Sequence, residues 1–374
     1  MPKKLRISIL FNEPAVSDEN LQRLVAENGQ VKNDPDVLIK RLAAERSPRS
    51  RKPPPTIDLS ELGVIEEMED IKAALDSLGY KTTIMNVNSN VFKLIDFLRE
   101  ERPDIIFNLV ECVENESLQE MNVAGLYDLL KIPYTGAGPL ALGTALNKPR
   151  VKEILIYHGI RTPDYQVFRV QDRIVLKEGL AFPLIVKPSH EDGSVGITEQ
   201  SIVYNLPDLR KRVRYIHADF EQPALVEQYI AGRELNVAIL GSLRPQVLPI
   251  SEIDFSGLPA DMHKIVSYDA KWMHGTAAYE GTRGVCPAKI TSRQEGEIKR
   301  TALECFRLIG CRDYARIDFR LTAEGVPYVL EVNPNPDISD DAGFARSARC
   351  AGFSFPEAIG KIIESAIERC QLTL

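Results

Sequence analysis

The chain has 374 residues, of which 44% are hydrophobic and 26% are charged, with a formal net charge of −7. This length allows two or three domains with sizeable cores, and the acidic balance gives no overall basic footprint for nucleic acid. No stretch approaches the roughly 20 apolar residues of a membrane span, and the first apolar run is too short for a signal peptide. The six cysteines favour free thiols in a reducing cytoplasm over disulfides, and the lack of a CxxC pair argues against a zinc site.

The N-terminal part alternates strands with helices. Strands are predicted over 5–11, 81–87, 104–110 and 132–136, and helices over 62–78, 91–99 and 119–130. This alternation predicts a small parallel α/β domain. A polar insertion at about 14–56 interrupts it and ends in the basic, proline-rich run RSPRSRKPPP. We interpret that run as a solvated linker, with a contact to nucleic acid or an anionic surface as the alternative.

The rest of the chain mixes both element types. Strands are predicted over 165–169, 184–187, 201–203, 224–228, 235–240 and 246–253, and helices from Asn147 as a cap and over 206–217, 292–308 and 355–367. Ser292, with Glu295 three residues later, predicts a capping box. We expect three domains, 1–147, 148–230 and 231–374, with an active cleft between the last two.

The segment FPLIVKPSHEDGSVGI at 182–197 suits phosphate binding. A strand ends near Lys187, and a loop with Gly193, Ser194 and Gly196 follows. Backbone N–H groups in such a loop can surround phosphate oxygens while the ammonium neutralises their charge. A strand end with a surface hairpin is the alternative, since the loop matches neither a Walker nor a Rossmann fingerprint.

The segment ALVEQYIAGRE at 224–234 predicts a strand that runs into a short linker. The free backbone groups of such a linker can hydrogen-bond an adenine edge. Glu227 and Glu234 could accept hydrogen bonds from an amino group and from ribose hydroxyls. For each carboxylate, a solvated surface position is the alternative.

The segment ARIDFRLTAEGVPYVLEVNPNPDI at 315–338 predicts two strands joined by a turn. Alternation places Arg316 and Asp318 on one face of the first strand, and Glu331 and Asn333 on one face of the second. If the strands pair, two carboxylates and an amide oxygen converge. This all-oxygen set suits Mg²⁺ better than zinc or iron, and a hairpin with a solvated polar face is the alternative.

Taken together, the motifs resemble one family over nearly the whole chain. The matching sequence motifs are PYTG at 133–136, NK at 147–148, IVKPS at 185–189, GSVG at 193–196, VE at 226–227, YDAKW at 268–272, CPA at 286–288, RID at 316–318 and EVN at 331–333. In this order they resemble the ATP-grasp carboxylate–amine ligases of the D-alanine–D-alanine ligase type. The resemblance implies an α/β (α+β ATP-grasp) fold in which two ATP-grasp domains enclose ATP behind an N-terminal α/β domain, and a homodimer through that first domain.

The resemblance also implies roles for individual residues. Lys148, Lys187 and Lys271 would contact phosphates, Gly193, Ser194 and Gly196 would close over them, and Glu227, Gln228, Ile230 and Glu234 would hold adenosine. Asp318, Glu331 and Asn333 would hold two Mg²⁺ ions, with Mn²⁺ as the alternative. Arg316, Lys271 and Ser194 would be the catalytic residues, with Arg316 stabilising the tetrahedral oxyanion.

The implied chemistry is amide formation through an acyl phosphate made from ATP. Because negative charge accumulates at the γ-phosphate and the incoming carboxylate, positioning and charge neutralisation are the main tasks of the protein. Residues 268–284 are expected to be an irregular loop that covers the cleft and excludes water, with a plain connecting loop as the alternative.

Three departures from the family concern its substrate pockets. The first strand is followed by Glu13 and then by the insertion. Glu111 stands near the position of a histidine that is usual in the family. The loop that binds a substrate carboxylate in the family reads PNPDISDD here and contains Asp337 and Ser339. Trp272 stands where a tyrosine is usual. We therefore expect a ligase for amino-acid-like substrates other than two D-alanines. The alternatives are genuine D-alanine–D-alanine ligation and a non-catalytic ATP-binding regulator.

Overall fold

The computed structural model describes residues 5–12, 59–87, 90–113 and 116–372. Within them the chain has the expected α/β fold, with helices packed on three separate sheets. The predicted insertion at about 14–56 and Glu13 lie outside the described residues.

The first sheet is parallel and lies in the N-terminal part. Its strands are β1 (Arg6–Phe11), β2 (Lys81–Asn86) and β3 (Ile105–Leu109), in the order β2-β1-β3, and its helices are α1 (Leu59–Ser77), α2 (Val91–Glu101), α3 (Glu120–Leu130) and α4 (Pro139–Leu146). The predicted strand at 132–136 is instead a single bridge between Ile106 and Tyr134. The chain turns away at Gly136, whose φ of 83° few other residues adopt.

The second sheet is antiparallel and carries the predicted phosphate-binding strand. Helix α5 (Lys148–Tyr157) precedes β4 (Tyr165–Phe168), β5 (Leu184–Pro188), β6 (Ile202–Val203), α6 (Leu206–Asp219) and β7 (Ala224–Gln228), and the strand order is β4-β7-β5-β6. Asn205 caps α6, whose buried face (Leu209, Val213 and Ile216) packs on Val186 and Val226 of the sheet. Their 3- and 4-residue spacing is that of one helical face.

The third sheet is the largest. Its strands are β8 (Arg233–Leu240), β9 (Gln246–Val247), β10 (Ser251–Asp254), β11 (Arg283–Val285), β12 (Tyr314–Leu321) and β13 (Pro327–Asn333), in the antiparallel order β11-β10-β8-β12-β13, with β9 also on β8. Its helices are α7 (Tyr268–Trp272), α8 (Ala277–Glu280), α9 (Ser292–Ile309), α10 (Gly343–Cys350) and α11 (Phe355–Cys370). The single strand predicted over 246–253 is two strands, because Pro249 has no N–H to continue the ladder.

The capping box of α9 lies one residue earlier than predicted. Thr291, which has extended backbone angles, is the N-cap, and its hydroxyl accepts a hydrogen bond from the Gln294 N–H at 3.3 Å. The Gln294 side chain in turn accepts from the Thr291 N–H at 2.9 Å. Ser292 is already helical, so the predicted pair of Ser292 and Glu295 was wrong.

The three sheets occupy successive stretches of the chain, and the domain limits at 147 and 230 stay a prediction. The buried carboxylate of Asp313 joins the first and third stretches. It accepts hydrogen bonds from Arg369 Nη2 at 2.7 Å, from the Gly136 N–H at 3.0 Å and from the hydroxyls of Ser242 and Ser365. One carboxylate thereby fixes a turn of the N-terminal part to α11.

We expect Asp313→Ala to lower the free energy of unfolding by about 3–5 kcal/mol, because it leaves the Arg369 guanidinium without its carboxylate in a largely buried position. Urea denaturation followed by circular dichroism measures this change. Glu153→Ala is the control, because it removes only an exposed ion pair with Arg150 and should cost at most about 1 kcal/mol. Equal losses in the two variants would contradict the assignment of Asp313 as a structural centre.

Candidate active site

A cleft of about 1060 Å³ lies between the second and third sheets, with α1 contributing to its lining. It brings together residues from distant parts of the sequence. The predicted site residues that line it are Lys187, Gly193, Ser194, Glu227, Gln228, Ile230, Glu234, Lys271, Trp272, Arg316, Asp318, Glu331, Asn333, Asp337 and Ser339.

Three further predicted residues do not line this cleft. Lys148 lies beside it, with its ammonium between the carboxylates of Asp192 and Glu331. Gly196 faces inward, and a Cβ there would come within 2.7 Å of Pro188. Glu111 is exposed, and its charge adds to burial in raising the pKa of Glu67 and of Glu120.

The predicted acidic hairpin forms through the pairing of β12 with β13. Asp318 lies opposite Glu331, and Arg316 lies opposite Asn333. The Asn333 amide donates to Asp318 Oδ2 at 3.0 Å, so the three proposed metal ligands are neighbours. No group of three or more His, Cys, Asp or Glu residues forms a metal site in the described ranges. Two carboxylates and one amide nevertheless match the oxygen donors that Mg²⁺ prefers.

Each carboxylate of this hairpin is already paired with a cation. Arg316 donates to Asp318 through Nε at 2.9 Å and through Nη2 at 3.0 Å, while Asn236 donates to Asp318 Oδ1 at 2.7 Å. Burial would lower the pKa of Arg316, but Asp318 outweighs it and the pKa is raised. Burial would raise the pKa of Glu331, but Lys148 outweighs it and lowers the pKa to about 2. Glu331 is therefore kept ionised.

Glu227 is shared by two lysines, one of which the sequence reasoning missed. Its oxygens lie 2.6 Å from Lys152 Nζ and 2.8 Å from Lys187 Nζ, and all three side chains are at least nine-tenths buried. Burial lowers the pKa of Lys152 to about 8 despite the carboxylate. Lys152 stands four residues after Lys148 on α5, so helical spacing was the available signal.

A second buried ion pair was also missed. Arg320 Nη2 lies 2.8 Å from Glu234 Oε2, and Arg320 Nη1 donates to the Gly232 carbonyl at 3.0 Å. Burial raises the pKa of Glu234, and Arg320 opposes that rise. The signal was the alternation that places Arg320 on the same strand face as Asp318.

The glycine loop (193–196) is joined to the covering segment (268–284). Trp272 Nε1 donates to the Gly193 carbonyl at 2.8 Å, and the Tyr268 N–H donates to the Ile197 carbonyl at 2.9 Å. Ser194 donates to the Val266 carbonyl, just before the segment, at 2.8 Å. The covering segment is not the irregular loop expected, since it contains α7 and α8, which Ser267 and Thr276 cap. The two stretches cover the cleft as one connected unit.

The acidic loop (334–341) is fixed to the N-terminal part. Asn335 accepts from the Ala137 N–H at 2.8 Å, and the Ile338 N–H donates to Glu67 Oε1 at 3.0 Å. Glu67 lies on α1 and is 6% exposed. Burial raises its pKa well above the ordinary value, and Asp337 and Glu111 add to the rise. Sequence reasoning gave no signal for Glu67, because its partner is 271 residues away.

Comparisons with known proteins agree with this geometry. The family described as "D-ala D-ala ligase C-terminus" matches residues 154–364. The D-alanine–D-alanine ligase of Pelotomaculum thermopropionicum is 32% identical over 313 residues, covering 81% of this chain and 91% of that protein. The uncharacterised protein y4sG of Sinorhizobium fredii is 31% identical, covering 80% and 87%. A crystal structure of D-alanine–D-alanine ligase from Bacillus anthracis complexed with ATP superposes with a TM-score of 0.70 at 21% identity, covering 98% and 99%.

The fold and the cleft define an ATP-grasp enzyme, an ATP-dependent ligase that forms carbon–nitrogen bonds. Within that class, the chain belongs to the D-alanine–D-alanine ligase family. The expected fold and enzyme class are thus confirmed, whereas the roles of individual residues stay predictions. None of the helices in the described ranges has the length and hydrophobicity needed to cross a bilayer.

We expect Glu67→Gln to change how stability depends on pH. Folded Glu67 keeps its proton above pH 4.5, where the unfolded chain has lost it, so the wild type is destabilised as pH rises through this window. The introduced amide cannot titrate but can still accept from the Ile338 N–H. The free energy of unfolding of the wild type should therefore fall relative to that of Glu67→Gln between pH 5 and pH 8, as measured by urea denaturation.

The control is Glu69→Gln, which changes an exposed carboxylate two residues further along α1. This variant should keep the pH dependence of the wild type. If Glu67→Gln kept it as well, the raised pKa of Glu67 would be refuted.

Proposed function

We propose that the enzyme uses ATP to join a carboxylate and an amine, at least one of which is not D-alanine, through an acyl phosphate. The observation that carries this proposal is the acidic loop in the cleft. Asp337, Asp340 and Asp341 all line the cleft, together with Asp70 of α1. Burial raises the pKa of Asp70, and the charges of Asp340 and Asp341 raise it further, so these carboxylates are close together. Such a surface favours an amine-bearing or cationic substrate group.

The nucleotide half of the proposal follows from the second sheet. Glu227, Gln228 and Ile230 would hold the adenine edge, and Glu234 the ribose. Lys148 and Lys187 would contact phosphates, with Lys271 at the γ-phosphate and the glycine loop above them. The ring of Trp272 lies 4.5 Å from Lys271 Nζ, and no ion pair restrains this ammonium in the described ranges. Lys271 therefore has its charge available for a phosphate.

Asp318, Glu331 and Asn333 are the residues that would hold Mg²⁺. When bound there, Mg²⁺ would neutralise phosphate charge during transfer. The cations now paired with these carboxylates would then be released toward substrate groups. Lys148 would turn from Glu331 toward a phosphate, and Arg316 from Asp318 toward the oxyanion.

The chain's own residues would supply the remaining chemistry. The guanidinium of Arg316 would stabilise the oxyanion that forms when the amine attacks the acyl phosphate, where a fixed charge acts most strongly. The glycine loop and the covering segment would exclude water, which otherwise hydrolyses the acyl phosphate. Ser194 would keep the glycine loop in place through its bond to Val266. The cytoplasmic location and the homodimer stay predictions.

Genuine D-alanine–D-alanine ligation is the second candidate. It is favoured by the relatives, several of which bear that name at 29–33% identity. Against it stand the charges described above, because a second D-alanine would bring no side-chain cation to Asp337, Asp340 and Asp341. Substrate assays separate the two candidates.

We expect purified enzyme with ATP and Mg²⁺ to release little phosphate with D-alanine alone. Release should rise at least about tenfold when D-alanine is supplied with an amino acid that carries a second cationic group, because one favourable charge contact of about 1.4 kcal/mol gives that factor. Mass spectrometry identifies the amide formed, and reactions without ATP are the control. Robust turnover with D-alanine alone would establish the second candidate instead.

We expect Glu331→Gln to raise the Mg²⁺ concentration needed for half-maximal ATP binding by about 10- to 100-fold, a loss seen even for residues that only support a metal ligand. Calorimetric titration of ATP at several Mg²⁺ concentrations measures this change without requiring turnover. Because Glu331 also pairs with Lys148, only a change in the Mg²⁺ dependence, and not a change in ATP affinity at saturating Mg²⁺, reports on the metal site. The exposed Glu364→Gln on α11 serves as control. An unchanged Mg²⁺ dependence in Glu331→Gln would rule out the metal assignment.

A further inference from the structure

Arg346 is a cation of the cleft to which the family motifs assign no role. It lies on α10 and lines the cleft beside the acidic loop. Its Nη1 donates to Ser251 Oγ at 2.9 Å, and its Nη2 donates to the Asp341 carbonyl at 3.2 Å. Both acceptors are neutral. Two of the five guanidinium N–H groups are used in this way, and the remainder can serve a ligand.

Three other cations of the cleft are already paired with carboxylates, whereas Lys271, which the proposed function assigns to a phosphate, and the exposed Arg283 form no ion pair in the described ranges. Lys187 pairs with Glu227, Arg316 with Asp318, and Arg320 with Glu234. Arg346 forms no ion pair with any carboxylate in the described ranges. Burial lowers its pKa, while the nearby charge of Asp341 raises it. A half-buried guanidinium without a bound carboxylate is costly unless a ligand supplies one.

Arg346 is also close to the reaction centre. Gly343, three residues earlier on α10, lies where an added Cβ would be 3.6 Å from Arg316 Cδ. The same helix therefore contacts Arg316 and presents Arg346. An anion on Arg346 would lie at the acidic-loop end of the cleft, away from the strand that carries Glu227.

We propose that Arg346 binds the α-carboxylate of the amine-bearing substrate. This inference rests on the proposed function and names the class of its second substrate, an amino acid with a free carboxylate. The planar guanidinium fork matches a carboxylate in a bidentate pair. Asp337 and Asp341 then face the amine or cationic end of the same zwitterion. The acidic loop thus no longer conflicts with a carboxylate-bearing substrate.

Gly284 gives a second way to test Arg346 without replacing it. A Cβ on Gly284 would lie 1.8 Å from Arg346 Cζ and 2.1 Å from its Nη1. These atoms are the far end of a flexible side chain, so Gly284→Ala should displace the guanidinium rather than the backbone.

The first experiment measures turnover. D-alanine and ATP are supplied with alanine, lysine or aspartate of either configuration, each as the free acid and as the α-carboxamide. Removing the carboxylate should reduce kcat/KM of the wild type about 10- to 100-fold, the range for a hydrogen-bonded charge. Arg346→Gln and Gly284→Ala should bring the acid-to-amide ratio within about threefold of one, and Arg346→Lys should restore part of it.

Arg307→Gln is the control, since it removes the same charge from an exposed position on α9 that does not line the cleft. It should keep the acid-to-amide ratio of the wild type. A purely structural role of Arg346 would lower the rates with acid and amide equally and leave their ratio unchanged, which would overturn the proposal. A raised KM for ATP with an unchanged ratio would likewise overturn it, by assigning Arg346 to phosphate.

The second experiment is independent of turnover and uses the single tryptophan, Trp272, which lines the cleft. Its fluorescence is titrated with N-acetylalanine and N-acetylalaninamide of either configuration, in the presence of ADP and Mg²⁺. The wild type should respond saturably to the acid only, and Arg346→Gln should not respond. If the acid binds in this way but the first experiment shows no turnover, the proposed function is refuted and the carboxylate site is retained. Absence of acid-over-amide discrimination in both experiments would overturn the inference.

Discussion

The antiparallel pairing of β12 with β13 is the constraint on which the cleft depends. It sets Asp318 opposite Glu331, and each carboxylate then needs a cation in a largely buried position. Arg316 and Lys148 supply those cations, from the same strand and from the helix that precedes the second sheet. Because buried charges are tolerated only when paired, this hairpin determines where the basic groups lie before any substrate arrives. Under the proposed function, catalysis would exchange these partners rather than create new charge.

The two halves of the cleft differ in how they are held. The proposed nucleotide half is built on regular elements, with Glu227 on β7, Lys187 on β5 and Lys152 on the helix α5. The proposed substrate half consists of the acidic loop and the covering segment with its two short helices, which are fixed to other parts of the chain through Glu67 and through Trp272. Loops can change their side chains without disturbing a sheet. Asp337 and Ser339, two of the residues expected to depart from the family, lie in such a loop, whereas Trp272 lies at the end of α7.

The sequence alone predicted those features that a local residue pattern determines, such as the face of a strand on which a side chain lies. Strand alternation gave the faces of Asp318 and Glu331, and the strand before Gly193 gave the position of Lys187. It failed where a side chain's partner comes from a distant segment, as for Glu67 with Ile338 and for Arg346 with Ser251. The periodicity of hydrophobic and polar residues does not reveal such long-range pairs. The misplaced capping box had another cause, since Thr291 and Ser292 are both suitable caps and only the backbone angles distinguish them.

The bond between Glu67 and the Ile338 N–H has a consequence for protein engineering. Residues 334–341 form one short contiguous stretch of the proposed substrate half. They could therefore be chosen for transfer to another enzyme as a unit. Their conformation is nevertheless held by a carboxyl group from the opposite end of the polypeptide. A chimera that received this stretch without α1 would carry its side chains but not their placement. Under the proposed function, selectivity would therefore depend on two segments together, and a transplant of the loop alone should not transfer the donor's preference.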